Sequence, residues 1–583
     1  IAGAFFRSLS ITMVFAMLIS FIFSITLAPL LASMVLREKD IEREVKKETR
    51  KTWLGGWYER LMYKLLKYKL AVVPLAFVIV YCTYLLYANL GSSFMPEMDE
   101  GAFVLDYSSP PGTSLTETNR MLVNVEKLIM KIPEVESYSR RTGTQLGFFL
   151  TEPNRGDYTI KLKQKRTRGI DDVMAEARTK IESSEPRLRI DFGQMLQDVI
   201  GDLTNSPSPI EIKLFGADPK LLERTGSLIK DQIGSVRGVV DAFNGVVISG
   251  PSLVVNVNPM RASLFGLTSS DIQDQLSTMI TGRVESNVQH NDKVIGIRVR
   301  YPNGFRRDMD SIGNIMLLSP TGVLVPLANV ASIDRTAGQP ELNREGLRPY
   351  LAVTARISGR DLGSTIAEIQ KTLQSKIVLP KGVTLEYGGV YQTEQESFKN
   401  LLIVALVAFL FVFIVLILEF REFAIPFAII IITVLSLLGV MAALSVTGMT
   451  LNISSFVGLI MLIGIVAENA IFIMHYVKLP ENQAGGLVGA IVEASRQRIR
   501  PIAMTTLAAV LALLPLALAI GEGAQMQQSL AIAVIGGFSV SSVMLFFILP
   551  MLYALFTPNK KVPMRPALVP SSVVGGETRF TAE

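Results

Sequence analysis

Seven helix-length apolar runs leave this chain few folds to adopt. They lie near 11–36, 70–90, 400–419, 423–446, 452–475, 502–521 and 530–556. Each is close to the ~20 residues an α-helix needs to cross the hydrocarbon of a bilayer. In that medium every backbone N–H and C=O must be satisfied within the structure, and a single helix does this alone. The third and fourth runs are joined by a few residues around Glu422, which makes them a tight helical hairpin. Between the second and third lies a polar stretch, 91–400, of ordinary globular composition, which must fold outside the bilayer. At 583 residues, 49% of them hydrophobic, the chain exceeds the ~150-residue prior for one domain.

Basic residues orient these runs. Lys and Arg concentrate in 37–69, including Lys46, Lys47, Arg50 and Lys51, and the loop before the sixth run ends in Arg496, Arg498 and Arg500. The short loops 447–450 and 521–528 hold neither residue type. The positive-inside rule puts the basic segments in the cytoplasm and the polar stretch outside, in a periplasm where the cell has one. Lys560, Lys561 and Arg565 make the tail cytoplasmic, so the start is external. Ile1 is not a methionine and IAGAFFRSLS is not a signal peptide, so the expectation is a fragment beginning just before a span. Segment 37–69 reads as an amphipathic helix on the cytoplasmic surface, with Trp53, Trp57 and Leu61 opposite its basic face.

Composition also excludes function classes. One cysteine, Cys82, rules out a disulfide framework and a cysteine zinc site. His290 and His475 are too few and too far apart for a histidine metal cluster. No histidine-based triad, phosphate-binding glycine loop or nucleotide motif is present, so neither an enzyme nor a cofactor is expected. The net charge of +6 follows from topology and does not point to nucleic acid.

The polar stretch reads as repeated βαβ units. Strand 102–107 is followed by a turn at Pro110, Pro111 and Gly112, then by a capping box, Ser114 with Glu117, opening a helix to about Met130. A strand near 135–140 closes this unit. A second runs through strand 158–162, helix 171–183 and strand 188–192. A third begins with strand 210–215, a helix capped by Asp218 with Pro219 at its first position, and a strand near 239–243. The fourth has strand 351–357, helix 364–375 and strand 384–387. These pairs suggest split βαβ, ferredoxin-like layers. Residues 250–349 read as an insert with strands 253–257 and 294–301 and a helix at 270–279.

Inside the fifth run, LNISSFVGLIMLIGIVAENAIFIM, stands Glu468 beside Asn469. An ionisable group near the middle of a span costs about 2.5–3.5 kcal/mol on insertion scales, and chains retain it where protons or ions move. The bland alternative is a carboxylate near a span end that snorkels to the interface. Apolar residues on both sides favour the functional reading, in which desolvation raises the carboxyl pKa toward neutrality. Thr505 and Asn469 are its expected hydrogen-bonding neighbours. Helix–helix adhesion is an equal alternative for both. Gly464, Gly536 and Gly537 are expected to allow close helix approach.

At these residues the chain resembles the inner-membrane permease of resistance–nodulation–division (RND) efflux systems, as the second half of such a pump plus the last span of the first half. The resemblance rests on FMPEMDEG (94–101), PPGTSL (110–115), PIEIKLFG (209–216), GLIMLIGIVAENAIFI (458–473), RQRIRPIAMTTLA (496–508) and LPLALAIGEGAQMQQSLAIAVIGG (514–537). It implies an α-helical transmembrane bundle plus an α+β periplasmic region of ferredoxin-like porter subdomains with an inserted docking subdomain. The implied division is 1–36 last helix of a missing half, 37–69 linker helix, 70–90 transmembrane helix and 91–205 first porter subdomain. The second porter subdomain is 206–249 with 350–398, the docking insert 250–349, the five-helix bundle 399–556 and the tail 557–583. A homotrimer, a periplasmic adaptor (membrane fusion protein) and an outer-membrane channel are implied partners, with the lipid bilayer and protons.

The resemblance also assigns roles. In the drug-exporting branch the position of Glu468 is a lysine paired with aspartates of the first half; in the copper and silver branch it is acidic, as here. Thr505 matches the relay hydroxyl, Thr506 is its substitute, and Arg498 matches a basic residue at the cytoplasmic mouth. The lysine that metal-branch members carry just inside the sixth span is Ile502 here. Two positions of the copper-binding methionine triad are Asp106 and Arg155. The third falls near Gly201, with Met195 the nearest thioether. Asp157 matches an acidic neighbour of that site. Thioethers select Cu(I) and Ag(I), so these replacements argue against both ions. Asp106, Asp157, Glu97 and Asp99 could suit a divalent ion, but solvated surface charge is the expectation for most of them. The function so implied is proton-driven export of toxic small solutes, favouring metal cations. Alternatives are a multidrug, amphiphile or lipid exporter, and a protein-export auxiliary or sterol-sensing receptor with a similar helical plan.

Overall fold

The computed structural model describes residues 2–35, 53–96, 98–146, 151–203, 208–248, 252–306, 309–336, 338, 341–479, 486–521 and 523–557. Lys46, Lys47, Arg50, Lys51, Glu97, Lys560, Lys561 and Arg565 fall outside them. Among the described residues seven helices are long and apolar enough to cross a membrane.

Helix α1 (Ala2–Val35) presents an apolar span of which none is buried. Helix α2 (Trp53–Lys67) packs against the bundle through Tyr58, Met62 and Leu66. Trp57 lies on the other side, 50% exposed, so the expected apolar face is not the packed one. Two hydrogen bonds fix this docking: the Tyr58 hydroxyl donates to the Phe546 carbonyl at 2.7 Å, and Lys69 Nζ donates to the Ala554 carbonyl at 2.7 Å. Helix α3 (Val72–Asn89) then forms the second apolar span.

The first α/β unit comprises β1 (Ala102–Ser108), α4 (Leu115–Ile129), β2 (Val135–Thr142), β3 (Arg155–Leu162), α5 (Ile170–Ser184) and β4 (Arg189–Gln194), followed by the short helix α6 (Met195–Leu203). Its strands are antiparallel in the order β2-β3-β1-β4. Phe103, Leu105, Tyr158 and Ile160 meet Leu122 and Val125 of α4 and Val173 and Ile181 of α5 in one core. Side chains alternate along a strand, so Asp106 lies on the sheet face away from those helices. At the start of α4 only half of the expected capping box forms. Ser114 accepts from the Glu117 amide, while the Glu117 carboxylate pairs with Arg120 instead of turning back.

The second unit opens with β5 (Ile210–Phe215), α7 (Pro219–Ile233) and β6 (Val239–Phe243). Asp218 caps α7 by accepting from the Lys220 amide, and Pro219 takes a position whose N–H would have no helical acceptor. An insert follows: β7 (Ser252–Val257), α8 (Ser269–Leu276), β8 (Arg283–His290), β9 (Lys293–Val299), β10 (Met316–Leu318), β11 (Leu324–Pro326) and β12 (Ala331–Thr336). The insert has its own core, including Ile272, Leu317, Val325 and Val330. The helix expected to reach residue 279 ends at Leu276 and continues as one π turn, Ser277–Thr281.

The chain then re-enters the second sheet with β13 (Asn343–Glu345), β14 (Arg348–Ile357), α9 (Leu362–Lys376) and β15 (Thr384–Gly388). β14 lies between β5 and β6, and β15 pairs with the other edge of β5. The first unit's strand order is thus repeated around a long insert.

The remaining helices are α10 (Val390–Phe420), α11 (Ala424–Thr447), α12 (Ile453–Val477), α13 (Gly486–Ala517) and α14 (Gln525–Phe556). α14 is central, packed on α11, α12 and α13. Small residues allow this. A Cβ on Gly439 would meet the Gly536 carbonyl oxygen at 2.3 Å, and one on Gly537 would meet Leu462 at 2.5 Å. Gly464 differs from expectation: nothing lies within 4 Å of the Cβ it lacks. α13 begins sixteen residues before the expected apolar start, so Arg496, Arg498 and Arg500 are helical, not in a loop. The 521–528 loop is likewise shorter, because α14 starts at Gln525; Gly521 and Gly523 make its turn at φ 112° and 74°.

Backbone pairing joins bundle and α/β units. Leu451 N–H donates to the Gly91 carbonyl at 2.8 Å and Ser93 N–H to the Leu451 carbonyl at 3.0 Å. Asp361, which caps α9 through the Ser364 amide, also accepts from the Ser92 amide at 3.3 Å.

Candidate functional site

Two groups of side chains carry chemistry, one in the helix bundle and one on the first sheet. In the bundle, α12 starts cleanly because Asn452 and Ser455 form a reciprocal cap. Sixteen residues into the helix, Glu468 is exposed and makes no hydrogen bond or ion pair among the described residues. No helix among the described residues buries it. Asn469 faces the other way: it is buried and its side-chain amide donates to the Ile465 carbonyl at 3.1 Å. Successive residues on a helix point about 100° apart, so neighbours in sequence do not share a face. Gly464, one turn earlier, is exposed with Glu468.

On α13 the two threonines divide. The Thr505 hydroxyl is on the exposed side and donates to the Ile502 carbonyl at 3.0 Å. Thr506 donates to the same carbonyl at 2.8 Å and lies 2.8 Å from the Ser542 hydroxyl of α14. Neither reaches Glu468, which corrects the expected contact. Arg498 does meet the Glu468 side of α12. Its guanidinium lies 3.7 Å from the Tyr476 ring centre and 5.7 Å from that of Phe472. Phe472 and Tyr476 follow Glu468 at intervals of four, so one stripe of α12 carries the acid and the aromatic seat of Arg498. Arg498 Nε is buried with no hydrogen-bond acceptor.

On the first sheet, register does what sequence spacing could not reveal. Asp106 of β1 stands opposite Asp157 of β3 on one side and Asp191 of β4 on the other. Arg141 of β2 stands opposite Asp157. Cross-strand neighbours on one face lie ~4.5–5.5 Å apart at Cβ, so three carboxylates adjoin. Two are compensated. Arg141 donates to both Asp157 oxygens at 2.6 and 3.0 Å, and the Leu146 amide adds a third bond at 2.6 Å. Asp191 pairs with Arg356, which arrives from β14 of the second unit. Among the described residues Asp106 has only the Gln145 side-chain amide, at 3.0 Å. Burial first, then Asp198 and Asp191, push its carboxyl up to about 7.

Asp106 and Arg155, read apart in sequence, line one cavity of about 140 Å³ with Gln145, Arg189 and Asp191. Asp157 is fully buried in its arginine pair, and Asp99 bonds Arg166 and accepts from the Ile170 amide at 3.2 Å. They are structural partners, not the solvated charges expected. Met195 and Gly201 lie on α6, directly after β4. Sequence reading missed Arg141, Gln145, Arg189, Asp191 and Arg356. The alternation in RIDFGQ, apolar Ile190 and Phe192 around Asp191, was the available signal for an acid on the sheet face away from the core.

A family model described as the AcrB/AcrD/AcrF family matches residues 1–557. The cobalt-zinc-cadmium resistance protein CzcA of Cupriavidus metallidurans is 29% identical over 575 residues, 95% of this chain and 53% of that protein. The multidrug export protein AcrF of Escherichia coli is 26% identical, over 94% of this chain and 54% of that protein. A crystal structure of a heavy metal efflux pump superposes with a TM-score of 0.77 at 27% identity, covering 86% of this chain and 52% of that one. The chain therefore spans about half the length of the relatives it matches.

Proposed function

The chain belongs to the AcrB/AcrD/AcrF family, and we propose that it acts as part of a proton-driven RND permease exporting toxic small solutes. Glu468 carries this reading: an acid kept in an apolar span, on an exposed face that also holds Gly464. We assign Glu468 the transported proton. A further helix, bearing the partner acids, covers that face, and the missing side chain at Gly464 lets it approach closely. One proton crossing 100 mV releases about 2.3 kcal/mol, enough for a modest solute gradient.

The other relay residues take roles consistent with their contacts. Arg498, held on Tyr476 and Phe472, sets the potential at the inner mouth. Thr505 offers a hydroxyl on the open side of α13, while Thr506, bonded to Ser542, transmits movement of α13 to α14. Asn469 orders α12 from its buried side.

Strand order β2-β3-β1-β4, and its repeat in β6-β14-β5-β15, supports two ferredoxin-like porter subdomains, with the insert as the docking subdomain. They face the periplasm in an inner-membrane pump that works as a homotrimer with an adaptor and an outer-membrane channel. The cleft holding Asp106 and Arg155 lies on the solute path, with Asp157 on the strand beside Asp106 and buried behind it. The names of CzcA and of the superposed pump favour metal cations; that of AcrF supports the multidrug alternative.

The test is protection of a pump-deleted Gram-negative strain by the full gene, adaptor and channel. Metals are set beside dyes and detergents, with Glu468→Gln as control. Loss of protection in the variant supports the reading; equal protection removes it.

A further inference from the structure

Where the second α/β unit meets the bundle, α10 carries Glu394 one turn after its start and before the apolar run at 400–419. Glu396 and Lys399, on the other side of this helix, are exposed, whereas Glu394 and Ser397 are buried. Glu394 is 0% exposed, and neither of its carboxylate oxygens accepts a hydrogen bond. A buried charge without donors is costly, whereas the same group holding a proton is neutral.

Ser92 and Asp361 face Glu394. Asp361 is already committed: it accepts from the Ser364 amide at 2.7 Å, the Ser364 hydroxyl at 2.6 Å and the Ser92 amide at 3.3 Å. Among the described residues no cation pairs with Glu394. Arg360 holds Glu368, Lys213 holds Glu345, Arg348 holds Glu386, and Glu211 of β5 faces the Gly389 amide. Helix α11 and residues 453–467 of α12 carry no ionisable side chain. Two acids thus face each other with nothing positive between them.

The seam around them leads to α12. Ser92 pairs with Leu451 as an isolated bridge, and Leu451 directly precedes the Asn452 cap of α12. The Gly363 amide donates to the Ser92 carbonyl at 3.1 Å, and a Cβ on Gly91 would meet Asp361 Cγ at 2.7 Å. One turn beyond Glu394, Phe398 stacks on Phe456 of α12 with ring centres 5.8 Å apart. The second α/β unit, α10 and the outer end of the Glu468 helix therefore converge at Glu394.

We propose that Glu394 is a second proton-binding carboxyl of this chain, holding a proton while the seam of Ser92, Asp361 and Leu451 is closed and releasing it when the seam opens. Its role in transport rests on the export reading, in which Glu468 is the first such group. A proton on Glu394 removes the repulsion with Asp361 and supplies a donor toward Ser92 or Asp361. Release to water needs the buried oxygens exposed, so the second α/β unit must part from α10 and the start of α12. Closing takes up a proton, so closure is favoured at low pH and lost as pH rises.

Amide hydrogen exchange of the purified chain tests this, read at Ser93, Gly363 and Leu451 with the α4 segment 118–125 as reference. Protection factors, corrected for the intrinsic base-catalysed rate, should fall about tenfold per pH unit between pH 5 and 7, the slope of one linked proton. In Glu394→Gln, which stays neutral, they should not change with pH, and Glu394→Asp should restore the slope. The infrared C=O band of a protonated carboxyl should appear at pH 6 in the difference between the parent chain and Glu394→Gln, which cancels Asp106, and vanish at pH 9. Equal slopes in the parent and Glu394→Gln would overturn the proposal, as would absence of that band at pH 6. If Glu394→Gln does not fold, the parent chain decides: a fall confined to the seam supports the proposal and a pH-independent seam overturns it. Glu468-dependent growth protection without a pH-dependent seam removes this inference alone; a pH-dependent seam without such protection removes the export reading alone.

Discussion

The Arg498 guanidinium sits 3.7 Å from the centre of the Tyr476 ring, two helical turns below Glu468 on the same stripe of α12. A cation held on an aromatic face gains about 0.5–1 kcal/mol where exposed and ~2 where desolvated. Tyr476→Ala should therefore lower the melting temperature of the purified chain, while Tyr476→Phe, which keeps the ring, should retain most of the stability. Equal losses in both variants would place the contribution in the hydroxyl instead.

Arg356 joins the two α/β units by pairing with Asp191 across 165 residues of sequence. Removing one member of a buried pair leaves the other uncompensated and costs about 3–5 kcal/mol, whereas replacing both with apolar residues is often near neutral. Arg356→Met should destabilise strongly, and Arg356→Met with Asp191→Leu should restore most of the loss. Denaturant unfolding followed by tryptophan-independent circular dichroism measures both. A double variant no better than the single would contradict the pairing argument.

Asp106 gives a pH dependence of defined sign. Its folded pKa, about 7, is above the ordinary carboxyl value of 3.8. Between those values the folded chain holds a proton that the unfolded chain has released, so this group's contribution is present at low pH and is lost as pH rises through 7. Asp106→Asn should flatten that part of the stability profile from pH 4 to 7. A profile unchanged by the substitution would assign the dependence to other groups.

Helix packing predicts opposite results for two glycines. A Cβ at Gly536 would meet Ala443 Cβ at 2.3 Å, whereas one at Gly464 would meet nothing within 4 Å. Overpacking of a close contact costs about 1–3 kcal/mol. Thermal melting in detergent should show Gly536→Ala well below the parent chain and Gly464→Ala close to it. A large loss at Gly464 would mean that its face is already covered in this chain.

These contrasts show where sequence was informative. Strand β5 and the Asp218–Pro219 start of α7 were legible because alternation and cap chemistry are local. The start of α13 was not, because Gly486 and Gly489 stand in its first turn, Glu493, Arg496, Arg498 and Arg500 separate its apolar start from the long apolar run, and its helicity there depends on packing against α12 and α14. The row Asp157–Asp106–Asp191 was invisible for a different reason: β1 lies between strands that follow it much later, and crossover order sets that register. Glu468 was found by its cost in an apolar span, but its direction was not, since helical phase against neighbours decides which face is open.

The most direct measurement compares the full gene with Glu468→Gln in a pump-deleted strain carrying the adaptor and channel, reading both growth protection and proton influx on solute addition. The account predicts that the variant loses protection and influx together while membrane abundance is unchanged. Retained protection with retained influx would contradict Glu468 as the proton carrier.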